Sequence, residues 1–118
     1  MCKIMISMKK PVENTKFIFE LKKIDAHWSI ESLKNNLKKG ANGFFFCCEL
    51  FLNDHKEKDK QIRGILALAK KYGYELHIVE IPYNKNWTDF SIEQLNTDCA
   101  ITDDALLNIL NEAEDDFS

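Results

Sequence analysis

The chain has 118 residues, 45% of them hydrophobic and 30% charged, with a formal net charge of −3. That length fits one domain without room for a second core, and that composition excludes wholesale disorder. The sequence holds no apolar run of the about 18 residues that a membrane-spanning helix needs. The charge is spread unevenly. Residues 1–40 carry nine lysines against four acids, residues 41–90 carry seven of each sign, and residues 91–118 carry eight acids and no Lys or Arg. A basic front and an acidic tail fit intramolecular pairing, an acidic face offered to a basic partner, or an ordinary solvated acidic helix.

The opening Met1-Cys2-Lys3-Ile4-Met5-Ile6-Ser7-Met8 is too short and too interrupted for a signal peptide, so a cytoplasmic protein is expected. Met8 is an alternative start, and residues 1–14 read as an edge strand over 3–8 or a loose arm. Thr15–Ile24 reads as a strand, because Phe17, Phe19 and Leu21 share one face while Glu20 and Lys22 take the other. Ser29 then caps a helix, Trp28 staples onto Leu33, and Ile30, Leu33 and Leu37 repeat at helical spacing. Lys34, Lys38 and Lys39 suit the carbonyl end, and Gly40 suits the position after it.

Phe44–Leu52 is a near-continuous apolar run, as in a central parallel strand covered on both faces. Cys2, Cys47, Cys48 and Cys99 lack C-x-x-C spacing and read as small buried hydrophobes, not zinc ligands. Asp54 and Glu57 form a capping-box variant for a helix that buries Ile62, Ile65, Leu66 and Ala69 and stops at Gly73. A strand Glu75–Ile81 follows, closed by Pro82. The loop Pro82–Phe90 carries Tyr83, Trp87 and Phe90. Ser91 and Gln94 box a short helix, Asp98–Ile101 is a short strand or loop, and Thr102 caps a last helix with Asp103 and Asp104 in its first turn. Its stripe is Leu106, Ile109, Leu110 and Ala113, and its acidic end is expected to fray over 115–118. This alternation predicts a single α/β domain: a small Rossmann-like three-layer fold with a largely parallel sheet of about three to five strands and alternating helices.

Several groups carry chemical meaning. Glu49, a carboxylate inside the most apolar run, is either a metal ligand or acid–base group at the sheet's carboxyl edge, or sits on a strand face that meets solvent or a neighbouring lysine. Asp54, in Asn53-Asp54-His55, is either a metal ligand or a helix cap. Glu20-Leu21-Lys22 matches the E-x-K element of metal-dependent nucleases, without the upstream aspartate that class needs. His27 and His77 have no nucleophile at recognisable spacing, and no glycine-rich phosphate loop is present. The basic residues lack interleaved aromatics, so a nucleic-acid partner is not expected.

From Leu52 to Phe90 the order is strand, Asn53-Asp54-His55, helix to Gly73, strand to Pro82, then Lys85-Asn86-Trp87-Thr88. This resembles the second half of a Toprim-type domain, as found in primase-like proteins of mobile elements. Glu20 and Ile24-Asp25-Ala26 fall loosely where that family's first glutamate segment lies, and one acid stands where the family has a D-x-D-type cluster. The resemblance implies a Rossmann-like scaffold. At its fullest it implies Mg²⁺-dependent phosphodiester or nucleotide chemistry by Glu20, Glu49 and Asp54, with Glu20 and Asp54 holding the metal.

No catalytic set is complete, so the reading preferred from sequence is a small acidic, cofactor-free binding protein of the immunity, antitoxin or inhibitor type. It would occlude a protein partner, for which a basic toxin or nuclease is the expected kind. The residues expected to face that partner are Tyr83, Lys85, Trp87, Asp103, Asp104, Glu112 and Glu114. The reduced Toprim-like enzyme and a subunit of a larger complex are the alternatives.

Overall fold

A computed structural model describes residues 2–25, 27–49 and 55–117. Four strands form one sheet in the order β2-β1-β3-β4: β1 (Cys2–Met8), β2 (Phe46–Glu49), β3 (Leu76–Pro82) and β4 (Ala100–Ile101). Every pairing is antiparallel, so the expected largely parallel, Rossmann-like sheet is not what forms. β2 and β3 do point the same way, as the strand–helix–strand spacing implies. They never bond, because β1 lies between them and runs against both.

Among the described residues the α-helices are α1 (Thr15–Ile24), α2 (Ile30–Lys38), α3 (His55–Tyr72), α4 (Ile92–Thr97) and α5 (Asp103–Phe117). Thr15–Ile24 is thus a helix, not a strand. The Asn14 side chain accepts from the Phe17 amide at 3.1 Å and starts it. Phe17, Ile18 and Leu21 go inward, leaving Phe19 in solvent. Three other caps form as their sequences predict. Ser29 caps α2, Ser91 and Gln94 box α4, and Thr102 accepts from the Ala105 amide at 3.1 Å ahead of α5. Gly73 ends α3 at φ 72, a left-handed conformation that glycine adopts freely. The Asp54 cap lies outside the described residues.

The residues expected to form an edge strand or loose arm are instead the middle of the sheet. Ile6 pairs with Phe46 on one side and Ile78 on the other, and Ile78 pairs with Ile101, so one apolar row crosses all four strands. Cys2, Ile4, Ile6 and Met8 face the larger core, where α1, α2, α3 and α5 bury Phe17, Leu21, Leu33, Leu37, Ile62, Ile65, Leu106 and Leu110. The opposite face carries a thinner layer: Val79, Ile81 and Leu95 with Met5, Phe44, Trp87 and Phe90 packed around them.

The apolar run at 44–52 serves two cores. Phe44 joins the thinner one, while Phe45 and Phe46 meet the ring of Trp28 edge-on at 6.0 Å. Among the described residues of that run Phe46–Glu49 is strand, and it lies at the sheet's edge, while 50–52 lie outside the described residues. Cys48 is buried as expected, whereas Cys47 is exposed. Burial, helped by the neighbouring Glu80 carboxylate, pushes the Cys2 thiol up to about 12, which keeps it an unreactive hydrophobe at neutral pH.

Candidate functional site

The segment after β3 is held from below. The Lys3 side chain is 14% exposed, and its ammonium donates to the Lys85 carbonyl at 2.7 Å and lies 3.8 Å from Glu49 Oε1. The Lys85 amide closes a turn onto the Pro82 carbonyl at 3.0 Å. Asn86 and Asp89 form a reciprocal capping box around the 3-10 turn Trp87–Asp89, with Asn86 N–H to Asp89 Oδ2 at 2.9 Å. Trp87 is half-buried against the thinner core. Tyr83 is 51% exposed above this scaffold, and Asn84, Lys85 and Asn86 are exposed beside it. The loop therefore offers one aromatic ring from backbone already fixed, which lowers the ordering cost of binding. Lys3, the anchor that fixes it, carries no sequence signal for this role, because it pairs across 82 positions.

The expected acidic partner of this loop is divided between two ends of the molecule. β4 pairs Ile101 with Ile78 and then leads into α5, so Asp103 and Asp104 lie near the start of β3, whereas Tyr83 follows its end. About 20 Å of strand separates those ends at ~3.3 Å per residue. Asp103 and Asp104 line a groove of about 1050 Å³ with Lys9, Lys70 and Glu75. Further along, the Arg63 guanidinium donates to Asn111 Oδ1 at 2.9 Å. α5 therefore runs antiparallel to α3, so its Glu112 end points toward the strand ends that Tyr83 follows, although α5 packs on the larger-core face and the Tyr83 loop on the other. Glu112 is exposed there, while the side chain of Glu114 lies outside the described set.

The three carboxylates of the enzymatic alternative have separate settings. Glu20, on α1, accepts from the Tyr72 hydroxyl and sits 3.3 Å from Lys71 Nζ. Glu49, on β2, faces Lys3, which fits the ion-paired reading of that residue. Asp54 lies outside the described residues. Among the described residues no group of three or more His, Cys, Asp or Glu converges on a possible metal position, and no helix is long and apolar enough to cross a membrane. His77 is buried and shares a hydrogen bond with Asn96 at 2.8 Å, while His27 sits exposed on Asp25.

Comparison with known families, curated proteins and solved structures gives no match. Function is therefore argued from this chain's own geometry.

Two carboxyls make the fold sensitive to acid. The Tyr72 hydroxyl, and secondarily Lys71, holds Glu20 below the ordinary value of 4.5. The backbone and ring of His27 hold Asp25 below its ordinary value of 3.8. Each group's stabilising effect is complete above its ordinary pKa and is lost as pH falls through the lowered folded value. The expected result is that the Tm gap between wild type and Glu20→Gln narrows as pH drops from about 7 to about 3. A gap that stays constant over that range would remove Glu20 as an acid-labile clasp between α1 and α3.

Proposed function

We propose that this chain is a non-enzymatic, cytoplasmic binding protein that occludes a protein partner through the Tyr83 loop, in the manner of immunity or inhibitor proteins. The observation that carries this reading is the combination of a half-exposed aromatic with backbone pinned by the Lys3 ammonium and the Asn86–Asp89 box. Interface energy concentrates in such aromatics, and a fixed loop loses little entropy on docking. The exposed Glu112 end of α5 points toward the same end of the sheet from its other face, and long-range attraction from it favours a basic partner, speeding capture in a salt-dependent way. Asp103 and Asp104, at the opposite end, are left out of this surface.

A photo-crosslinking residue at position 83 would trap the partner in cells of the source organism, and purified components would give the affinity. Tyr83→Ala should weaken that affinity by at least about 2 kcal/mol with Tm unchanged, because the ring is not part of either core. The bound partner should also lose its own activity. Equal affinity for wild type and Tyr83→Ala, or a fully active bound partner, would overturn the proposal.

A further inference from the structure

Once residues 15–24 are helical, the outer surface of α1 has a composition that a strand would have scattered. Lys16, Phe19, Glu20 and Lys23 fall at helical spacings of three and four and so share one face. Phe19 is 50% exposed at its crest, with exposed Lys16 and Lys23 one turn to either side. Glu20, the one acid of α1, is turned toward α3, where Tyr72 and Lys71 engage it. A shallow groove of about 330 Å³ runs between the two helices, lined by Lys23, Lys71, Gly64 and Ala67 together with Glu20, whose carboxylate Lys71 and Tyr72 engage. α1 carries three lysines against one glutamate, and α3 carries six cations against two acids, in a chain whose net charge is −3. Nine of the chain's sixteen Lys and Arg are thus on these two helices, and a half-exposed aromatic ring stands beside some of them.

We propose that this α1–α3 face binds single-stranded nucleic acid, with Phe19 stacking on a base and Lys16 and Lys23 contacting the phosphates. The chemistry that fits is a polyanion carrying flat apolar faces. Lysines alone would serve any anion, but a half-exposed phenyl between them adds an attraction that only an aromatic ligand returns. Stacking meets the flat face of every base alike, so the expected binding is sequence-tolerant. The surface lies on the opposite side of the sheet from the packing of the Tyr83 loop, and the inference does not depend on the protein-partner reading.

The test is fluorescence anisotropy of a labelled oligothymidine of about twelve nucleotides, titrated with the full chain at several salt concentrations. Wild type should bind at low salt, with an affinity that falls steeply as salt rises. Phe19→Ala should weaken binding about tenfold with Tm unchanged, and Phe19→Trp should restore it. Lys16→Gln and Lys23→Gln together should make the log–log salt slope shallower by about 1.4, at ~0.7 per phosphate contact on a single strand. No binding at about 50 mM salt, equal affinity for wild type and Phe19→Ala, or equally tight binding of polyglutamate would overturn the proposal.

Discussion

A chain shortened to start at Met8 is expected not to fold cooperatively. The deletion removes six of the seven residues of β1, and with them Cys2, Ile4 and Ile6 from the larger core. It also removes the only strand joining β2 to β3, since those two bond through β1 alone. What would remain is an isolated β3–β4 pair of two rungs and an unpaired β2, below the size at which a sheet is stable alone. The graded companion is Ile6→Ala, at a fully buried position in the apolar row across the sheet, with an expected cost of about 2–5 kcal/mol. Urea unfolding followed by near-UV circular dichroism measures both. If the shortened chain gave a cooperative transition, or if Ile6→Ala cost under about 0.5 kcal/mol as at an exposed site, β1 would be the peripheral strand that the sequence suggests.

Phe17→Ala is expected to cost about 3–5 kcal/mol. The ring is 0% exposed and meets Tyr72 and Tyr74 edge-on, with centroids at 5.2 and 5.0 Å. Those two contacts add to the plain loss of apolar burial, at about 0.5–1.5 kcal/mol per aromatic pair. The control is two residues away. Phe19→Ala should change stability by under about 0.5 kcal/mol, since its ring is half in water. A strand would put both rings on one face and make the two substitutions equally severe. Comparable urea midpoints for both variants would contradict the helix.

Comparing these two phenylalanines explains much of what the sequence leaves ambiguous. Phe17, Phe19 and Leu21 satisfy a period of two, while Phe17, Ile18 and Leu21 satisfy a period near 3.6, and ten residues hold both patterns at once. The deciding signal was Asn14, three residues ahead of Phe17, a cap of the same kind as Ser29 and Ser91. Where a cap and an apolar stripe agree, as in α2, α4 and α5, sequence and structure agree. β3 also sits where its apolar run predicts, from Leu76 to Pro82.

The centre of the sheet was not legible, for a different reason. Lys3 and Ser7 make β1 look half-solvated. Their polar atoms are in fact satisfied by carbonyls far along the chain, Lys85 for Lys3 and Ala41 for the wholly buried Ser7. Such pairings have no local signature. The candidate surfaces divide in the same way. Tyr83 and Trp87 are conspicuous as aromatics in a loop, but the support from Lys3 depends on tertiary pairing, and the exposure of Phe19 depends on the helix.

The placement of β1 also sets a timetable for synthesis. β1 is made well before the strand that covers one of its edges, because its register partners on β3 extend to Pro82. At about 5–20 residues per second, roughly 4–15 s pass between the emergence of Cys2–Met8 and of the strand that covers one of its edges. During that interval the nascent chain displays Ile4, Ile6 and Met8 with the β3-facing edge of the segment open, a form inclined to pair with another chain. Lys3, Lys9 and Lys10 flank the segment and supply the like-charge repulsion that discourages such encounters.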